Sequence, residues 1–396
     1  MAIDNKDKKV LNVPHLRFPE FSGEWDSFKL VELGKFIGGG TPSSSNLSFW
    51  TGSIPWISSS DIKEDNINNI SISRYITEDA IEKSATKYCP APVILIVSRV
   101  GVGKVALSHT SLCTSQDFCN IIDIKCHPVF LSYNLLRTMK RKSREVQGTS
   151  IKGITSDELQ KIRVFIPKNK DEQNKISNLL TLLDERIVTQ NKIIEDLKKL
   201  KSAIIEMEYT HKTKSNSHIG DFIEQTSKRN KNCAIQNVLS VSNRQGFIQQ
   251  SEQFENRSVA SDDTSNYKIV EKNDFAFNPA RINVGSIARL TTFDRGIVSP
   301  MYICFRTKDT LFPEYLDYYF ETKQFFTEIQ KRLEGSVRQC LSFEGLCNIP
   351  LCIPTIEVQR QVGNQLSTLV QEIKLKIDFL ELLQRQKKFL LHQMFI

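Results

Sequence analysis

The chain repeats itself, and that limits its possible folds more than any other feature. Gly148-Thr149-Ser150-Ile151-Lys152-Gly153-Ile154-Thr155-Ser156-Asp157-Glu158-Leu159 runs on to Ile162 and Ile166-Pro167. It returns 187 positions later as Gly335-Ser336-Val337-Arg338-Gln339-Cys340-Leu341-Ser342-Phe343-Glu344-Gly345-Leu346, then Ile349 and Ile353-Pro354. Arg99-Val100-Gly101-Val102-Gly103 returns as Arg281-Ile282-Asn283-Val284-Gly285, and Leu33-Gly34-Lys35-Phe36-Ile37 aligns with Ile219-Gly220-Asp221-Phe222-Ile223. Gln173, Ile176, Asn178, Leu180, Leu183 and Ile187 match Gln359, Val362, Asn364, Leu366, Leu369 and Ile373. Four blocks in order at nearly one spacing mean a duplicated unit of about 185 residues.

Each unit has two parts. The first carries short β-type runs, such as Val93 to Val97, Asn120 to Lys125 and Arg163 to Ile166, separated by Gly, Ser, Asn and Pro turns. Short helices are expected over Tyr133 to Lys142 and Pro313 to Leu333. This pattern predicts a compact α+β domain. The second part is one long helix with apolar residues at steps of four and three. The first seam is Ile176, Leu180, Leu183, Ile187, Ile194 and Leu197; the second is Val362, Leu366, Leu369, Ile373, Leu380 and Leu383. A 4-3 spacing kept over four heptads predicts a coiled-coil seam, interrupted at polar Gln190, Lys201, Lys376 and Lys387. Asn169 with Glu172 reads as a capping box, and Thr355 as an N-cap.

A helix of roughly 30–35 residues with one apolar stripe needs a partner, and the nearest is its own repeat. The expected fold is therefore α+β, with two tandem globular domains joined by two long helices in an antiparallel coiled coil and an internal pseudo-two-fold repeat. Antiparallel pairing would lay the two domains at opposite ends of a rod. The expected divisions are residues 1–167 and 212–354 for the domains, and 168–211 and 355–396 for the helices.

Composition removes several classes. Apolar residues are 40% and charged residues 25% of 396, ordinary for a globular protein. The longest branched aliphatic run, Val93 to Val97, is far short of a membrane span. The start, Met1-Ala2-Ile3-Asp4-Asn5-Lys6-Asp7-Lys8-Lys9, has no apolar stretch behind its charges, so a cytoplasmic location is expected. The nine cysteines form no C-x-x-C pair and are expected as reduced thiols rather than as a metal site. Lys and Arg total 53 against 45 acids, a net charge of +8 that favours a polyanionic partner.

Catalytic signatures are missing. Gly101-Val102-Gly103-Lys104 fails as a phosphate loop, because Ser98 and Val105 stand where a Gly and a Ser or Thr are needed. Phe277-Asn278-Pro279-Ala280 lacks the second Pro and the aromatic of an amino-methyltransferase motif, and no Gly-rich cofactor loop precedes it. None of the six histidines sits in a metal-spaced pair. Basic residues cluster instead around the repeated Gly-Thr/Ser block (Arg137, Lys140, Arg141, Lys142, Arg144, Lys152). In the second half they do so at Lys228, Arg229, Lys231 and at Lys331, Arg332, Arg338.

Several motifs together resemble type I restriction-modification specificity subunits. They are Asn12-Val13-Pro14-His15-Leu16-Arg17-Phe18-Pro19 with Trp25, Gly39-Gly40-Thr41-Pro42-Ser43, Ile54-Pro55-Trp56-Ile57-Ser58 with Asp61, and Asp184-Glu185-Arg186-Ile187 leading into Gln190-Asn191-Lys192. The second half has Glu224-Gln225-Thr226-Ser227 and Leu239-Ser240-Val241-Ser242 where the Gly-Gly-Thr-Pro and Pro-Trp-Ile-Ser blocks would stand. The resemblance implies two target recognition domains, each reading one half of a split double-stranded DNA sequence. It implies a helical spacer that docks two methyltransferase subunits, with motor-nuclease restriction subunits joining them. This chain would hold no cofactor and do no chemistry; S-adenosylmethionine, ATP and Mg would belong to the partner subunits. The alternatives are a single-chain DNA methyltransferase or nuclease, and a coiled-coil adaptor without DNA contact.

The candidate DNA contacts in the first half are Thr41, Ser43, Ser58, Ser59, Ser60, Asp61, Arg99, Lys104 and Lys152. In the second half they are Arg229, Ser242, Asn243, Arg244, Arg281, Asn283, Arg338 and Gln339. Arg99 and Arg281 fit two roles: bidentate contact with guanine or phosphate, or bracing the strand turn against an acid. The hydroxyls of Ser58 to Ser60 fit DNA contact or plain turn capping, and Thr155 with Glu158 fits a cap with or without a phosphate at the helix N-terminus.

Overall fold

The computed structural model describes residues 11–146, 153–210, 217–243, 245–250, 263–335 and 339–396. The chain divides into two compact units, Met1–Asn191 with Phe379–Ile396, and Lys192–Asp378. The two long helices, Lys170–Tyr209 (40 residues) and Ile356–Gln393 (38 residues), each contribute to both units and exceed the expected length.

In the first unit ten strands are β1 (Asp26–Lys29), β2 (Lys35–Gly38), β3 (Ile54–Ile57), β4 (Arg74–Ile76), β5 (Tyr88–Cys89), β6 (Val93–Ile96), β7 (Val105–Ser108), β8 (Leu112–Thr114), β9 (Cys119–Ile122) and β10 (Arg163–Ile166). They form two four-stranded sheets, β2-β9-β6-β7 and β4-β3-β8-β5, and the pair β1-β10. β6 and β7 are buried along their whole length, which is why Val93 to Ile96 reads as a continuous apolar run.

The second unit repeats the plan with β11 (Ile223–Thr226), β12 (Val238–Ser242), β13 (Gly246–Gln249), β14 (Lys268–Glu271), β15 (Phe275–Phe277), β16 (Ile287–Arg289), β17 (Arg295–Val298) and β18 (Ile303–Thr307). Its sheets are β11-β18-β15-β16 and β13-β12-β17-β14. Even a parallel contact recurs: β3 beside β8, and β12 beside β17.

Finer devices recur too. The Gln173 amide accepts from the His127 N–H at 3.0 Å and donates to the Pro167 carbonyl at 2.9 Å. Gln359 accepts from the Phe312 N–H at 2.8 Å and donates to the Pro354 carbonyl at 2.9 Å. Each amide ties the start of a long helix to the head before it. Thr155 and Ser342, at matching places, both cap short helices, through the Glu158 and Gly345 N–H groups at 3.2 and 3.0 Å.

One block aligns differently from its letters. The Lys29 N–H bonds Glu32, and the His218 N–H bonds Asp221. One residue on, the Leu30 and Ile219 N–H groups bond the Ile162 and Ile349 carbonyls. Leu30 is therefore the counterpart of Ile219, and the match of Leu33-Gly34 to Ile219-Gly220 is a coincidence of composition three residues out of register. The helix expected from Pro313 to Leu333 is two helices, Pro313–Tyr319 and Lys323–Gln330, with Thr322 capping the second. The Asn169 carboxamide accepts from the Asp171 N–H, but Glu172 does not complete the capping box. Its carboxylate takes two bonds from Arg17, at 2.7 and 2.8 Å, and one from the Trp25 indole at 3.1 Å.

The seam lies where the 4-3 spacing puts it. In the first unit Ile176, Leu180 and Leu183 share one core with Leu383, Leu390, Leu391 and Met394, and Ile187 packs against it. In the second, Ile205 and Tyr209 share a core with Val362 and Leu366. The early part of one helix thus meets the late part of the other in one unit, and the reverse holds in the other, as antiparallel order requires. Ile194 and Ile373 are buried; Leu197, Leu369 and Leu380 are half-buried. Among the polar interruptions, Gln190 and Lys387 are buried.

Burial holds the His127 imidazole below its ordinary pKa of 6.5, and its Nδ1 accepts from the Phe130 N–H at 3.3 Å. The native ring stays neutral where the unfolded chain would take up a proton. Stability should therefore fall as the pH drops below 6.5. His127→Phe, which installs the residue found at the matching place in the second unit, should flatten that fall. Unfolding temperatures between about pH 7 and pH 5 check this; an unchanged slope contradicts it.

Candidate nucleic-acid interface

Three segments converge in the first unit. The first is the exit from β3. The Ser58 N–H and hydroxyl donate to the Asp61 carboxylate at 2.7 and 3.0 Å, closing a short turn. β4 runs antiparallel to β3 with Arg74 opposite Trp56. That register sets the Arg74 guanidinium 4.6 Å over the Trp56 ring, donating to Asp61 and, at 2.7 Å, to the Ser58 hydroxyl. The Trp56 indole donates to the Gly40 carbonyl at 3.0 Å, so the two signature blocks meet. A Cβ on Gly40 would lie 2.2 Å from the Ala85 carbonyl oxygen, so only glycine lets the chain pass there.

The second segment is the turn from β6 to β7. Gly101 and Gly103 take φ of +88° and +111°, in the region glycine favours. The Lys104 ammonium donates to the Ser59 carbonyl at 3.1 Å, tying this turn to the β3 exit. The third is the stretch from Gly153 on, the described part of its repeated block: the Ile154 N–H donates to the Ser98 carbonyl at 2.7 Å. Arg99 stands at the junction. It is exposed, and its guanidinium makes no ion pair with any described residue.

The same three segments meet in the second unit. The Ser286 hydroxyl donates to the Val241 carbonyl at 3.2 Å, joining the β15–β16 turn to β12. Asn243, at the β12 exit, is exposed beside Gly285, whose φ is +87°. The Leu341 N–H donates to the Pro279 carbonyl at 3.1 Å, as Ile154 does to Ser98. Arg281 and Asn283 are exposed, and Arg281 likewise pairs with no described acid.

The remaining candidates are spread more widely. Asp61 and Lys104 are engaged within the protein, so they shape the loops rather than offer free groups. The exposed Thr41 hydroxyl donates to Gln116, exposed Ser43 bonds Ser45 at 2.7 Å, and Ser60 shares a bond with Ser58 at 2.9 Å. Arg229 donates to Asn266 at 2.8 Å and bridges Lys268 of β14. Ser242 closes the β12–β13 pairing, and Gln339 is exposed. Lys152, Arg244 and Arg338 lie outside the described residues. Arg74 was not legible beforehand, since nothing in Arg74-Tyr75-Ile76 tells which strand lies opposite.

Free guanidinium groups on braced turns offer several N–H donors in a fixed fork, suited to phosphate or a guanine edge. Among the described residues, no three His, Cys, Asp or Glu side chains are placed to hold a metal ion. No described helix is long and apolar enough to cross a membrane.

Two α+β heads with matching three-segment junctions, each packed on long helices, define a duplicated binding fold. The profile of the type I restriction modification DNA specificity domain matches residues 22–199. The chain is 33% identical over 186 residues to the MjaIX type I restriction enzyme specificity subunit of Methanocaldococcus jannaschii, covering 45% of this chain and 42% of that protein. It is 34% identical over 177 residues to the EcoR124I/EcoR124II specificity subunit of Escherichia coli, covering 43% of each. The matched stretch thus spans less than half the length of these curated relatives. The crystal structure of the type I restriction-modification S subunit from M. genitalium shares the fold at TM-score 0.59 and 16% identity, over 97% of this chain and 99% of that one. Residues 22–199 thus match the type I restriction modification DNA specificity domain, and the chain shares its fold with an S subunit of known structure.

Proposed function

We propose that this chain is the sequence-reading subunit of a type I restriction-modification complex. Each head binds one half of a bipartite double-stranded DNA target, and the long helices dock two methyltransferase subunits. Restriction subunits join for cleavage. The chain itself does no chemistry; S-adenosylmethionine, ATP and Mg act in the partner subunits, and the complex works in the cytoplasm. The observation that carries this reading is the recurrence, in both heads, of an exposed arginine with no acid partner among the described residues, on a turn braced from two sides.

Arg99→Ala and Arg281→Ala test it. Each should weaken DNA binding by about 1–3 kcal/mol and relax specificity at one position, in different halves of the target, if it reads a base. Uniform weakening across sequences with a shallower salt dependence assigns a phosphate contact. Unchanged DNA binding by both variants, measured by titration of labelled duplex, contradicts the assignment.

A further inference from the structure

The arginine turns carry a second exposed feature. Val100, beside Arg99, is 67% exposed, and Val284, in the Arg281 turn, is 53% exposed. Neither turn is slack. In the first head, Lys104 holds the β3 exit, the Ser98 carbonyl accepts from the Ile154 N–H, and the Ser98 and Arg99 N–H groups donate to the Asp117 carbonyl at 2.8 and 3.3 Å. In the second, Ile282 is fully buried beneath the turn while the Val284 N–H donates to the Arg281 carbonyl at 3.2 Å. The valines are therefore held out to solvent by the same contacts that hold the arginines out.

A single exposed valine needs no explanation. Here each head places one on the same turn as an exposed arginine, at positions two residues apart in the repeat: Val100 aligns with buried Ile282, and Val284 with half-buried Val102. The arginine offers donors that match guanine O6 and N7. The one apolar group on the major-groove edge of a base pair is the thymine 5-methyl. In the second head Asn283 adds an exposed amide, the group that matches adenine N6 and N7.

Resting on the DNA-reading function proposed above, we propose that Val100 and Val284 read the 5-methyl group of a thymine, one in each half of the target. The two turns are then the base-reading tips of the heads.

The test uses the full-length chain with its methyltransferase subunits. Duplexes are first selected from a randomised library to define both half-sites. Each thymine is then replaced singly by deoxyuridine, which removes only the methyl group. One replacement in each half-site should weaken binding about fourfold, what burying one methyl group is worth. Val100→Ser should abolish that sensitivity in one half-site and Val284→Ser in the other, with unfolding temperatures unchanged. Selected duplexes that bind equally well with deoxyuridine throughout overturn this inference and leave the DNA-reading function standing. Sensitivity that survives in both variants assigns the methyl contact elsewhere and also overturns it. If no duplex sequence is enriched, the DNA-reading function falls and this inference with it.

Discussion

Lys387→Ala should destabilise the first unit by about 3–5 kcal/mol, the cost of leaving a buried charge without its partner. Lys387 and Asp184 are almost fully buried, and the ammonium donates to the Asp184 carboxylate and to the Asp65 carbonyl. The Tyr133 hydroxyl donates to the other Asp184 oxygen at 2.8 Å, and the ammonium lies 5.6 Å from the Tyr133 ring centre. Burial pulls the Lys387 pKa down, and Asp184 opposes that pull. Removing the ammonium strands the carboxylate in a site with little water. The double change Asp184→Leu with Lys387→Met should recover most of the loss, because replacing both charges removes the desolvation penalty as well as the attraction. Denaturant unfolding of the parent and the two variants checks this; a double variant as unstable as Lys387→Ala would show that the loss is one of packing.

The second large effect lies on the seam. Leu180 and Leu366 occupy matching places, are fully buried, and belong to the cores of different units. Leu180→Ala and Leu366→Ala should each cost about 2–5 kcal/mol, through lost transfer energy and the cavity left behind. Leu182→Ala and Leu382→Ala, on the same helices but 60% exposed, should stay within about 0.5 kcal/mol of the parent. Equal losses at seam and surface positions would mean that the 4-3 spacing does not mark the buried face.

The parts of this fold legible beforehand obey short periods. The seam repeats every three to four residues, so Ile176, Leu180 and Leu183 were placed without any tertiary knowledge. Arg163 to Ile166, with a β-branched and aromatic run of Val164, Phe165 and Ile166, is a strand over those residues. The duplication showed through wherever a position has one chemical solution, as at Gln173 and Gln359, whose amides each bridge two backbone groups.

What stayed hidden depends on contacts between distant segments. Glu172 looked like half of a capping box until Arg17 and Trp25, some 150 residues away, claimed its carboxylate. Lys387 looked like an interruption of the seam, but it is matched by Asp184 on the other long helix. Asp61 and Lys104, candidate DNA contacts by sequence, also tie the loops internally, to Arg74 and to the Ser59 carbonyl. Leu33-Gly34 aligned by letters, whereas the cap at Lys29 and the bond from Leu30 fix the true register. At the candidate site, the exposed arginines were legible as residues; their freedom from any described acid was not.

Exchanging the first head for that of another specificity subunit tests the central claim most directly. The exchange would cover about residues 20–165, and methylated positions in the host DNA would be mapped base by base. If each head reads its own half, the first half of the methylated sequence changes, and the second half keeps its sequence. Simultaneous change in both halves, or no change in either, contradicts the account.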